Sequence, residues 1–285
     1  MNKAVQVKGL FINPPGNIWT GFHTTFEGEN KPFQRTEIPF YLAALKDSSA
    51  MAIATIYNNK NEWIQTVEGD SLVKGLNYAT WNLDEKSASI PGNSHTAQKI
   101  TVLPGKYKII VDYGGAVDTT YVEVIADSRF RMNPEIDEQL YQFRKDIDVQ
   151  VTALAKPLKD IDQKLLQIEK SEAAFKKLEA NVNAEMVGDF QKIKERLKTL
   201  RSEGKTPKPE RQIGAWQSFE ITSYSKLQDL LGVAAAQTTL LSEQHRKLLE
   251  ETTKSISAYS KKVEAFMKEE WALFATVNNL KGTVD

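Results

Sequence analysis

The chain has 285 residues, 41% of them hydrophobic and 26% charged, which suffices for two domains of ordinary size. Lysine plus arginine and aspartate plus glutamate each total 37, so no bulk charge draws the chain to nucleic acid or to an anionic membrane. The absence of cysteine excludes disulfides and thiolate metal sites, and no run approaches the ~20 apolar residues of a membrane-inserting helix.

The first 35 residues read as an irregular connecting segment, punctuated by Pro14-Pro15-Gly16, Gly21 and Gly28 and rich in aromatics; Val5, Val7 and Leu10 suggest a short strand. The opening MNKAVQVKGLFINPPGN lacks the continuous apolar stretch of a signal peptide. From Glu37 the runs IPFYLAAL, MAIATIYN and NEWIQTV are strand-like and are separated by turn chemistry at Lys46-Asp47-Ser48-Ser49 and Asn58-Asn59-Lys60-Asn61. A fourth run from Gly75 places Ala79, Trp81 and Leu83 on one face, with Trp81 as a core anchor. Asp84 to Gln98 is polar and predicts a long loop, after which Ile100 to Leu103 is extended again. In KYKIIVDYGG, Tyr107, Ile109, Val111 and Tyr113 alternate with Lys108, Ile110 and Asp112, as a strand with one buried face requires. Gly114-Gly115 suits a hairpin turn into a last strand from Thr119 to Ile125. Short strands at this spacing, without a helical period between them, predict an antiparallel β-sandwich over residues 36–127.

Asn133-Pro134 is a helix start, with Asn as N-cap and Pro at the first helical position. Ile136, Leu140, Phe143, Ile147, Val151 and Leu154 recur at steps of three and four, and the stripe continues beyond Pro157, where a kink or two abutting helices is expected. Met186 to Leu200 marks a second helix ended by Gly204, and Ser223 to Ala235 a shorter third. A long last helix, from about Thr238 to Leu280, carries Leu241, Leu248, Thr252, Ile256, Tyr259, Val263, Phe266, Leu273, Val277 and Leu280 on one stripe. Residues 133–285 thus read as an elongated antiparallel bundle with two long helices. Only 126–133 separate the last strand from the first helix, a connection short enough to favour a fairly rigid arm.

Chemistry-bearing patterns are sparse. His23, His95 and His245 lie in different elements, none with a second His or Cys at metal-ligand spacing, so neither metal nor cofactor is expected. No G-x-S-x-G, P-loop or dinucleotide-binding glycine pattern occurs. A glycosidase needs two carboxylates ~5–10 Å apart; Glu29 and Asp70 are loop acids of that kind, but spacing nominates no pair and no catalytic residue is assigned. The dense basic stretch from Lys192 to Arg211 is scattered around its helix and reads as a solvated face. Trp19, Trp63 and Trp216 lie in or beside loops and are the candidates for contact with a glycan or a partner, although packing is the commoner role of such rings.

GENKPFQRTEIPFYLAAL, GLNYATWNL, LPGKYKIIVDYGG and DLLGVAAAQTTLLSEQHRKLL, in this order, resemble the C-terminal region of bacterial sortilin-like (VPS10-like) BNR-repeat proteins, often labelled glycosyl hydrolases. In that family a β-propeller is followed by a segment with a GEN-P-type run, an Ig/fibronectin-like domain with GLN-x3-WDL and PG-x-Y motifs, and a helical tail. Gly28-Glu29-Asn30 with Pro32, Gly75-Leu76-Asn77 with Trp81 and Leu83, and Pro104-Gly105 with Tyr107 stand at the matching places. The WDL aspartate is Asn82, the DPR run is Asp127-Ser128-Arg129, and no S-x-D-x-G-x-T-W box of a propeller blade occurs. The resemblance implies an exported, non-catalytic accessory region, preceded in its parent by a propeller that it braces, or contacting another partner. The alternatives are a carbohydrate-binding module and a part of a glycosidase site completed by the propeller.

Overall fold

The computed structural model describes residues 10–12, 18–20, 36–45, 50–69, 71–91, 100–126, 133–177, 184–205, 221–236 and 239–278. Antiparallel β-sheet structure occupies the N-terminal part and helices follow. The chain forms two compact units, one of residues 1–87 with 99–142, the other of 88–98 with 143–285. The division between the units falls between Gln142 and Phe143, inside the first helix.

In the β unit, β1 (Leu10–Ile12), β3 (Thr36–Leu42) and β6 (Gly75–Trp81) form one sheet in the order β1-β3-β6. A second sheet has the order β2-β10-β9-β4-β5, from β2 (Ile18–Thr20), β4 (Ala52–Tyr57), β5 (Trp63–Glu68), β9 (Gly105–Tyr113) and β10 (Ala116–Ala126). Every pairing is antiparallel except that of β2, which lies parallel along β10. The alternation read in the sequence is the burial pattern: Tyr107, Ile109, Val111 and Tyr113 of β9 are buried together with Ile38, Phe40, Leu42, Ala79 and Trp81 from the other sheet. The Trp81 ring meets Tyr107 edge-on at 5.4 Å, and its indole N–H donates to the carbonyl of Asp84 at 2.9 Å. Gly114 and Gly115 turn β9 into β10 with φ of 55° and 85°, which a side chain would strain.

The stretch after Trp81 is more structured than its polarity suggests. β7 (Asp84–Glu85) pairs with β8 (Ile100–Thr101), which buries Glu85. The Tyr141 hydroxyl donates to the Glu85 carboxylate and fastens the first turns of the following helix within the same unit. Ile90, in the predicted loop, is 1% exposed in the core of the helical unit.

The helices are α1 (Pro134–Lys177), α2 (Ala184–Gly204), α3 (Ser223–Ala236) and α4 (Glu243–Phe266), the last continued by a π-helical turn (Met267–Trp271) and α5 (Ala272–Val277). Asn133 caps α1 as expected, its Oδ1 accepting from Glu135 N at 3.0 Å. Pro157 does not divide α1, which runs unbroken over 44 residues. Proline has no N–H for the carbonyl four residues back, and that carbonyl, of Ala153, accepts instead from Ser260 Oγ of α4 at 3.3 Å. Replacing Ser260 with alanine is expected to cost about 1 kcal/mol, and far less in a Pro157→Ala background, where residue 157 regains its own donor. Urea denaturation of the four proteins checks the coupling.

The last helix starts later than expected, at Glu243, where Ser242 and His245 form a capping box: His245 N donates to Ser242 Oγ and Ser242 N to His245 Nδ1. Its stripe also departs from expectation at the far end. Thr252, Ile256, Tyr259, Val263 and Phe266 are buried, but the next buried residues are Trp271 and Phe274, while Leu273 and Val277 are 67% and 70% exposed. The step of five from Phe266 to Trp271 is too long for an α-helical face. The wider π turn absorbs the extra residue and turns the rest of the helix.

Candidate functional site

A β-strand exposes every second residue, so the register of the five-stranded sheet dictates what its outer face carries. Tyr57 of β4 stands opposite Lys108 of β9, and Lys108 opposite Tyr121 of β10. Tyr57 also stands opposite Trp63 of β5. Four neighbouring strands therefore contribute one row, Trp63, Tyr57, Lys108 and Tyr121, that crosses three strand intervals, about 14 Å. Trp63 and Tyr121 are 52% and 64% exposed, whereas the buried neighbours of these residues, Ile56, Ile64, Ile109 and Val122, fill the core.

Trp63 is on this face because of a bulge. From Thr66, which faces out opposite Thr55, strict alternation would put Ile64 outside and Trp63 inside. The register slips by one residue between Ile56 and Tyr57, so Ile64 is 3% exposed and the indole faces out.

The row is held in place by polar contacts. The indole N–H donates to Thr66 Oγ1 at 3.0 Å, which orients the ring along its own strand. In the β4–β5 loop, Asn58 Oδ1 accepts from the N–H groups of Lys60 and Glu62 at 2.9 Å, and its amide donates to Glu62 Oε2 at 2.6 Å. Asn61, in the left-handed conformation at φ 58°, accepts from Lys108 Nζ at 2.6 Å. The ammonium also sits 4.9 Å from the centre of the Tyr57 ring, a cation–π distance. The next row outward along the strands is Thr66, Thr55, Ile110 and Thr119. A strip of rings, exposed at Trp63 and Tyr121 and half-buried at Tyr57, bordered by hydroxyls and amides, is what a ligand with apolar faces and polar edges requires.

The other sequence candidates add no chemistry among the described residues. Trp19 lies on β2 opposite Ile125, and Trp216, Glu29, Asp70, His23 and His95 lie outside the described residues. Among the described residues no group of three His, Cys, Asp or Glu could hold a metal. The basic stretch is paired away: Lys192 with Asp189, Lys194 with Glu172, Arg196 with Glu270, Lys198 with Glu195, and Arg201 with Asp162 through two bonds. Lys205 donates to the carbonyl of Pro91 and lies over the Tyr224 ring, while Lys208 and Arg211 are outside the described residues.

Burial raises the pKa of Tyr141, and the hydrogen bond to Glu85 raises it further; Tyr107 is raised first by burial and then by the same carboxylate. With Tyr107 also donating to the carbonyl of Leu103 at 2.6 Å, the phenols stay protonated and clamp the structure.

Scanned against protein-family models and curated proteins, the sequence matches none. Of the row, only Trp63 is a contact candidate from sequence. Tyr57, Lys108 and Tyr121 belong to ordinary alternating runs, and only the strand register brings them together.

Proposed function

We propose that the chain is a non-catalytic accessory region of an exported BNR-repeat protein, built as an Ig/fibronectin-like β-sandwich followed by an antiparallel helical bundle with two long helices, and that its β unit binds carbohydrate. The row of Trp63, Tyr57 and Tyr121 carries this reading, because the exposed Trp63 and Tyr121 and the half-buried Tyr57, with the indole fixed by its bond to Thr66, offer flat apolar surface at little ordering cost. The C–H faces of pyranose rings stack on such surfaces, and the surrounding threonines and asparagines suit their hydroxyls. Affinity electrophoresis through a panel of soluble polysaccharides tests it. Retardation by at least one polymer is expected, and Trp63→Ala or Tyr121→Ala should weaken it about tenfold, some 1.4 kcal/mol, with an unchanged melting temperature. Free migration of the wild-type chain through every polymer would refute it.

Contact with an upstream propeller is the second reading. It is favoured by the outer face of the three-stranded sheet, where Leu76 and Tyr78 are 52% and 40% exposed beside Tyr41 and Pro39. That face has its polar pair, Glu37 and Thr80, at one end only, and its run of Pro39, Tyr41, Leu76 and Tyr78 suits a protein surface better than a sugar.

A further inference from the structure

We infer that the aromatic row prefers an anionic glycan, one bearing uronate carboxylates or sulfate esters, and that Lys108 is the residue that reads the charge; this rests on the carbohydrate-binding reading above. Lys108 occupies the centre of the row, between Tyr57 and Tyr121. Its ammonium has two partners, the Asn61 amide oxygen at 2.6 Å and the Tyr57 ring, and both are uncharged. Among the described residues no carboxylate lies within ion-pair distance of it, in contrast to the lysines of the helical unit.

The acids nearby are placed so as not to neutralise it. Glu62 holds the Asn58 amide at the end of the loop. On the row below, Glu123 stands opposite Lys106, so that pair is balanced within itself. Asp112 and Glu68 belong to the third row, with the uncharged row of Thr66, Thr55, Ile110 and Thr119 in between. Asn61 and the Tyr57 ring fix the position of the ammonium without cancelling its charge, leaving N–H bonds for a ligand. A sugar stacked on Tyr57 or Tyr121 brings its substituents over Lys108. The ammonium would bond a hydroxyl or an anionic oxygen there, but only the anionic oxygen adds direct charge–charge attraction to the bond.

The test is titration calorimetry of the full chain against matched oligosaccharides: xylo-oligosaccharides with and without glucuronate branches, and chondroitin with and without sulfate. The first pair reports on carboxylate and the second on sulfate ester. At least tenfold tighter binding of the more anionic member of one pair is expected, weakening as salt is added. Lys108→Gln should abolish the preference, so that the two members of the pair bind alike whatever their common affinity becomes, and Lys108→Arg should retain it. Equal wild-type affinity for both members of each pair overturns the assignment of charge reading while leaving carbohydrate binding intact. Loss of the preference in a folded Lys108→Arg variant also overturns it, since the charge is still present. No binding of any oligosaccharide, together with free migration through every polysaccharide, overturns the carbohydrate reading itself.

Discussion

Replacing Gly204 with alanine is expected to destabilise the helical unit by about 3 kcal/mol, a large effect for one added methyl group. Gly204 is the last residue of α2, and its backbone is not in the left-handed region; the requirement for glycine is steric. A Cβ there would lie 2.7 Å from Cε1 of Tyr259 and closer still to its Cζ and hydroxyl. That ring cannot step aside cheaply. It is 6% exposed within the buried stripe of α4, and its hydroxyl donates to the carbonyl of Leu200 at 3.1 Å. Displacing it therefore adds a lost buried hydrogen bond to the cost of overpacking. Denaturant titration measures the loss, and a Tyr259→Leu background should remove most of it, because the methyl group then has room. An alanine variant within 0.5 kcal/mol of wild type would show that the helix end relaxes around the ring without strain.

The second large effect is alkaline. Burial, reinforced by Glu85, raises the Tyr107 pKa. Tyr259 is also raised, first by burial and then by Glu203, with Arg201 opposing. In the unfolded chain both phenols titrate near pH 10. A folded-state pKa raised above that value contributes stability that is fully present below about pH 10 and is lost as the pH rises towards the folded pKa. Each buried tyrosine should therefore remove about 1.4 kcal/mol of unfolding free energy per pH unit above pH 10. Guanidinium denaturation between about pH 9 and 12 reads this slope. Tyr107→Phe should flatten it for the β unit and Tyr259→Phe for the helical unit. A slope unchanged in both variants would mean that other groups drive the alkaline loss.

Much of the secondary structure is legible from local pattern, because it depends on near neighbours. The period of two in β9, the glycine pair that turns it, and the Asn133 cap are properties of adjacent residues. What escapes the sequence depends on one residue too many or on a distant partner. The π turn after Phe266 shifts the helical phase, so Leu273 and Val277 leave the stripe and Trp271 and Phe274 enter it. Pro157 reads as a break until Ser260, more than a hundred residues away, takes the orphaned carbonyl. Ile90 sits in a polar stretch that gives no hint of a core. The candidate site shares this property: Trp63 stands out by composition, but Tyr57, Lys108 and Tyr121 become a site only when three strand registers are known.

The bulge in β5 has a consequence for any related chain. Because the bulged pairing puts Trp63 outside and Ile64 inside, the binding face depends on register as well as on composition. A chain with the same letters paired without the bulge would point its indole at the core and present an isoleucine to the ligand. Sequence identity across this hairpin is therefore a poor guide to shared recognition, because the same letters spell a different surface when the strands pair in another register.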